Sequence, residues 1–178
     1  MLARDFKPDR LQVSKTLAAA FVEKRIFDRI GLVTFAGEAF SRCPLTIDHE
    51  MLRKFLMELE CGILEDGTAI GMGLSSAINR LKSSVSKSKV VILLTDGVNN
   101  AGYIKPRTAS AIAQSFGIKL YTIGVGSTGS AYAPIRRMMD GRYHFGHVEV
   151  KIDEDLLQRL AEETGGKYFR ATDNESLA

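Results

Sequence analysis

Val90-Val91-Ile92-Leu93-Leu94-Thr95-Asp96-Gly97 decides how this chain is read. Residues 90–94 are all aliphatic, with no alternation between two faces. Such a run predicts a strand buried on both sides, in the middle of a sheet covered by helices. A carboxylate and a glycine end it. In an open parallel α/β sheet, ligands bind at the carboxyl ends of the strands, so Asp96 stands where a cation could be held. Asp96-Gly97 is also good turn chemistry, and position alone leaves both readings open.

Outward from this strand, helical and extended patterns alternate, which predicts an α/β domain with a mainly parallel sheet. Upstream, residues 69–83 predict a helix with Ile70, Leu74, Ala77, Ile78 and Leu81 on one face. A polar loop, 62–68, precedes it, and Asp48 caps an earlier helix that runs to about residue 60. Residues 29–35 and 38–45 read as two strands joined by the short turn at Ala36-Gly37, hence an antiparallel pair at a sheet edge. The first helix runs from Asp9 to about Arg25. Downstream come a helix over 106–116, a strand over 119–125 and a helix from Asp153 to about Thr164. Gly165-Gly166 stops that helix before a last short strand at Tyr168-Phe169. Residues 127–150 show no clear period. The Asp140-Gly141 turn there suggests an irregular excursion or a hairpin.

Size and composition exclude several classes. A chain of 178 residues with 45% hydrophobic and 25% charged residues fits one globular domain, 1–178. The net charge of +3 is small, and along the sequence Lys and Arg are spread out. Arg136, Arg137 and Arg142 form a small local group. That is no nucleic-acid footprint. Cys43 and Cys61 are too few and too far apart for a zinc site or a CxxC motif; buried thiols and a single disulfide both stay open. No apolar run approaches the roughly 18 residues that span a bilayer. Nor does Met1, with charged residues close behind it, begin a signal peptide. The chain therefore reads as a soluble domain.

Thr68 is the second candidate ligand. It precedes a helix, so its hydroxyl fits an N-cap, but it also fits an oxygen ligand for Mg²⁺, a hard ion. Three other patterns compete. Gly124-Val125-Gly126-Ser127-Thr128-Gly129 matches G-x-G-x-x-G after a strand, and supports the alternative of a nucleotide- or NAD-binding enzyme using Gly124, Gly126 and Gly129. That alternative needs a helix opening at the third glycine, and Ser130-Ala131-Tyr132-Ala133-Pro134 is a poor helix start. His144 and His147 have metal-like spacing with no third ligand nearby. Ser75 and Ser76 lack a nucleophile elbow.

Taken together, Asp66-Gly67-Thr68-Ala69-Ile70-Gly71 and Leu93-Leu94-Thr95-Asp96-Gly97 resemble the second and third loops of the metal-ion-dependent adhesion site in von Willebrand factor type A domains. Segments 30–35 and 121–126 sit where that family places similar ones. Segments 148–157 and 161–171 resemble its bacterial aerotolerance (Bat, BatA/BatB-like) branch. The resemblance implies a three-layer, Rossmann-like fold: a mostly parallel sheet with one antiparallel edge strand. It implies a protein-binding module rather than an enzyme, with Thr68 as a direct ligand of Mg²⁺ or Mn²⁺ and Asp96 as a direct or water-mediated one. Asp66 is not counted as a ligand. An acidic residue of a partner protein would complete the shell. It further implies a parent anchored in the bacterial inner membrane by segments outside this chain, with other aerotolerance proteins and a MoxR-type AAA+ ATPase as partners.

Residues 1–11 resemble the segment just after the family's first metal loop, Asp-x-Ser-x-Ser. On that reading the chain is an N-terminally truncated domain that lacks the central first strand and three of the family's usual ligands. Thr68 and Asp96 alone should then hold Mg²⁺ weakly, with no metal tightly bound. The strands beside the missing one should leave an apolar slot with unpaired backbone, to be filled by a neighbouring chain, a rearranged N-terminus or a narrowed gap.

Overall fold

The computed structural model describes residues 1–127, 129–138 and 142–177, with the backbone alone at Arg137. Asp140-Gly141 lies outside the described residues. In chain order the elements are α1 (Arg10–Glu23), β1 (Ile30–Phe35), β2 (Ala39–Thr46), α2 (His49–Met57), α3 (Ile70–Leu81), β3 (Lys89–Thr95), α4 (Pro106–Ser115), β4 (Ile118–Val125), β5 (Ser130–Arg137), β6 (Tyr143–Glu149), α5 (Glu154–Glu162), β7 (Tyr168–Ala171) and α6 (Asn174–Leu177). Aspartates start three of the helices. Asp9, Asp48 and Asp153 each accept a backbone N–H three residues on, at 2.9, 2.9 and 3.0 Å, satisfying donors that have no partner inside the helix.

The sheet is interrupted. β3, β4 and β7 pair in parallel, in the order β3-β4-β7, while β1 and β2 form a separate antiparallel pair. Helices cover both faces. On one side Ile70, Leu74 and Ile78 of α3, Ala109 and Ala113 of α4, and Leu157 and Leu160 of α5 pack with Leu93 and Leu120. On the other, Val22 of α1 and Leu52 and Leu56 of α2 pack around Cys43. The fold is the three-layer α/β arrangement expected, with an antiparallel pair at one side.

The position of β3 differs from the sequence expectation. Its aliphatic run predicts a central strand, yet among the described residues β3 pairs only with β4. Val91, Leu93 and Thr95 are buried, whereas Val90 and Ile92 keep 39% and 40% of their surface exposed. The reason is local: β1 and β3 do not pair, and both line a cavity of ≈ 2230 Å³. Small-molecule sites run to about 1,000 Å³, so this space is on the scale of a secondary-structure element. Met1, Leu2 and Ala3 line the cavity, while Arg4 donates its backbone N–H to the Tyr132 carbonyl at 2.9 Å.

The aperiodic stretch after β4 is a hairpin. β5 and β6 pair antiparallel from Ser130↔Glu149 to Arg137↔Tyr143, with a register shift between Pro134 and Arg136. Its inner face, Ala131 and Ala133, packs on Ala3.

Close backbone approach explains one glycine in particular. At Gly71, in the first turn of α3, an added Cβ would run into the carbonyl oxygen of Ile104. Gly71→Ala should therefore cost about 1–3 kcal/mol through overpacking, despite alanine's better helix propensity. Urea unfolding monitored by circular dichroism checks this; a stabilised variant would show that the 104–105 backbone yields freely.

Candidate metal centre

Three segments that lie far apart in sequence meet at the carboxyl end of β3. Asp96 follows the strand directly, with its side chain 20% exposed. Thr68 ends the loop before α3. Its N–H donates to Asn100 Oδ1 at 2.8 Å and its carbonyl accepts from Asn100 N at 3.1 Å, so the two loops are tied reciprocally. The same loop is held from below by Ala69 N–H to the Ala36 carbonyl, 2.6 Å, and Gly37 N–H to the Glu65 carbonyl, 2.8 Å.

Thr68 is not the helix cap. Ala69 occupies that position with no side-chain bond, and Asn99 Oδ1 accepts from Ile70 N–H at 2.8 Å instead. The Thr68 hydroxyl makes no hydrogen bond among the described residues. It lies against Gly97, where a Cβ would sit 3.1 Å from Oγ1. The two sequence-predicted ligands are thus brought together, and the glycine after Asp96 is what lets the threonine approach. Asp66 is exposed on the same loop.

The third segment is the N-terminal one, and sequence reasoning missed its central member. Arg10, at the start of α1, is 3% exposed. Its Nε and Nη2 donate to Asp5 Oδ1 and Oδ2 at 2.8 and 2.6 Å, and its Nη1 donates to Asp96 Oδ2 at 3.2 Å. Asp5 also accepts from Ser127 N–H at 2.7 Å. The guanidinium occupies the space that a side chain at Gly126 would need. Burial alone would raise the Asp5 carboxyl, but the Arg10 fork and the Ser127 N–H hold it well below the usual carboxylate range. Burial opposes the charge on Arg10, and its two aspartates more than offset that. The Met1 amino group also pairs with Asp96 Oδ2. Asp96 thus faces two cationic groups on one oxygen, while Oδ1 has no hydrogen bond among the described residues.

The Thr68 hydroxyl and the Asp96 carboxylate are hard oxygen donors of the kind that Mg²⁺ and Mn²⁺ take. Among the described residues no group of three or more His, Cys, Asp or Glu side chains could enclose an ion. The remaining patterns resolve differently. After Gly124 and Gly126 the chain enters β5 and not a helix, so the helix N-terminus a dinucleotide needs is missing from that turn; Thr128 lies outside the described residues. Gly124 makes room for the Tyr168 hydroxyl. His144 and His147 are exposed on β6, and the His147 ring lies against Tyr132 at 5.6 Å. Ser75 and Ser76 lie within α3. Cys43 and Cys61 are free thiols, the first buried and the second exposed.

Known proteins resemble this chain in sequence and fold. An uncharacterized protein of Borreliella burgdorferi is 33% identical over 169 residues, covering 95% of this chain and 49% of that protein. The chain spans about half the length of the curated relatives it matches. Among solved structures, an aerotolerance-related membrane protein from Bacteroides fragilis superposes with a TM-score of 0.83 at 30% identity, over 99% of this chain and 88% of that one. BatB from Bacteroides thetaiotaomicron gives 0.82 at 29%, over 99% and 87%. Proximal thread matrix protein 1 of the mussel byssus, solved with a zinc-occupied MIDAS motif, shares the fold at 18% identity and a TM-score of 0.67, over 94% of this chain and 40% of that one. The von Willebrand factor type A domain model matches residues 1–178, and the chain belongs to that family.

Proposed function

We propose that this domain is a metal-dependent protein-binding module of a membrane-anchored bacterial aerotolerance protein, not an enzyme. Thr68 supplies a direct ligand to Mg²⁺ or Mn²⁺, and Asp96 a direct or water-mediated one. The bound ion would keep one coordination position open for a carboxylate of the partner protein. The observation that carries this reading is the Thr68 hydroxyl, spared from capping and seated against Gly97 beside Asp96. The likeness to an aerotolerance-related membrane protein over nearly the whole chain supports the biological setting. Among the described residues no helix is long and apolar enough to cross a membrane; in this reading the inner-membrane anchor lies in segments outside this chain. Other aerotolerance proteins and a MoxR-type AAA+ ATPase are the partners this setting proposes.

The cavity between β1 and β3 belongs to the same reading. We propose that it takes an apolar strand whose carboxyl end presents the family's Asp-x-Ser-x-Ser loop beside Thr68 and Asp96, completing the oxygen shell. Without that loop, binding of Mg²⁺ should be weak. Calorimetric titration with Mg²⁺ and Mn²⁺ tests the site on this chain and on one preceded by such a strand and loop. Binding confined to the longer chain and abolished by Asp96→Ala is expected. No binding to either would remove metal from the function.

A further inference from the structure

At the opposite end of β3 from the candidate metal centre, two loops border the cavity between β1 and β3, with Phe27, Arg29, Ser84 and Ser86 among its lining residues. One joins α1 to β1 and the other joins α3 to β3. They are fastened together by Arg29, whose Nη2 donates to Ser84 Oγ at 3.0 Å and Ser86 Oγ at 3.1 Å. Their tips are apolar and stand in solvent: Phe27 is 95% exposed, Val85 93% and Ile26 71%. Three large apolar side chains on adjoining loop tips are not the scattered surface hydrophobics of an ordinary domain.

The rim around them is basic. The first loop contributes Lys24, Arg25 and Arg29, all exposed. The second and its flanks contribute Arg80, Lys82, Lys87 and Lys89, of which the first three are exposed. Within residues 24–29 and 80–89 the only carboxylate is Asp28, against seven cations, while the whole chain carries only +3. Glu23, next to the first loop, is paired with Arg53 at 2.8 Å. Positive charge that looks dispersed along the sequence is gathered by the fold onto this end.

We propose that this end docks on an anionic lipid bilayer, with Phe27, Ile26 and Val85 entering the headgroup boundary and the Lys and Arg rim pairing with lipid phosphates. Protruding apolar tips inside a cationic ring fit an interface whose surface is negative and whose interior is apolar. A nucleic acid would use the cations but leave the apolar tips in water. The direction is consistent with the metal centre: β3 spans about 20 Å, so docking here points the Thr68–Asp96 end away from the membrane, towards soluble partners. Such docking would be in addition to an anchor in segments outside the chain. It does not depend on metal binding.

Sedimentation of this chain with phosphatidylcholine vesicles, with and without about 30% phosphatidylglycerol, tests the proposal. Binding to the anionic vesicles is expected, falling steeply with added salt as surface charge is screened. Phe27→Ser with Val85→Ser, and separately Lys82→Glu with Lys87→Glu, should each weaken the partition by about tenfold or more. All four positions are exposed, and a matched thermal unfolding curve verifies that each variant is folded. Absence of binding to anionic vesicles overturns the proposal. So does equal binding to neutral vesicles, or binding that neither variant pair reduces, which would mark the open cavity between β1 and β3 as the sticky surface.

Discussion

Arg10→Ala should lower the unfolding free energy by about 3–5 kcal/mol, the loss expected when one member of a buried charge pair is removed and the other left uncompensated. The side chains of Arg10 and Asp5 are 4% and 7% exposed, so water does little to screen or replace either one. The bidentate fork at 2.8 and 2.6 Å is the strong form of such a pair. The same guanidinium reaches Asp96, so its removal also frees the end of β3 from the start of α1. Asp5→Asn should be comparably damaging near neutral pH. The pH dependence fixes its sign. The folded Asp5 carboxyl lies below its ordinary value, so its contribution is fully present above about pH 4 and is lost as pH falls through the depressed folded value. The gap between wild type and Asp5→Asn should therefore be wide at pH 7 and close progressively in acid. Urea unfolding across pH measures this. A loss under about 1 kcal/mol at pH 7, as in exposed pairs, would refute the picture of a buried clamp. Replacing both partners by apolar residues, Asp5→Leu with Arg10→Met, should recover much of the loss, because the cost lies in the orphaned charge.

The fold class was legible because its signals are local. The aliphatic run 90–94, the helical spacing of Ile70, Leu74 and Ile78, and the turn at Ala36-Gly37 each specify an element without reference to the rest. Asp96 and Thr68 were legible for a related reason: one ends a strand and the other precedes a helix, so topology brings them to one end of the sheet. The features that escaped notice depend on contacts across the chain. The Thr68 hydroxyl is released from capping only because Asn99, some thirty residues on, supplies the acceptor. No periodicity announces that, although Asn99-Asn100 after a strand end is a pair of side-chain amides well suited to bonding backbone N–H groups. Arg10 looks like an ordinary charged residue in a helical first turn; its burial depends on Gly126 making room for it. The hairpin β5–β6 hides its alternation behind Pro134 and a register shift. The basic end is split between two loops separated by β1, β2, α2 and α3, so a scan along the sequence does not show that the two groups of cations meet.

Preceding Met1 with an apolar strand of about seven residues that ends in Asp-x-Ser-x-Ser should raise the midpoint of thermal unfolding by about 10 °C or more. Among the described residues β1 and β3 each present one edge with no strand partner, and unpaired backbone donors and acceptors beside an apolar space are costly. A strand between them would satisfy both edges at once and join β2-β1 to β3-β4-β7 in one sheet. It would also cover Val90 and Ile92, which remain about two-fifths exposed although they belong to a strand that is otherwise core. Burying three or four aliphatic side chains contributes about 1.5–3 kcal/mol each before the cost of ordering the strand. In a domain of this size each net kcal/mol moves the midpoint by about 2–4 °C. A control strand of equal length with serine at its inward positions can pair its backbone but not fill the cavity, and should give less than half the gain. Scanning calorimetry on the three proteins decides between the terms. A midpoint unchanged by the apolar strand would mean that the space between β1 and β3 closes by other means. Equal gains from both strands would mean that edge pairing, not apolar burial, is what the interrupted sheet lacks.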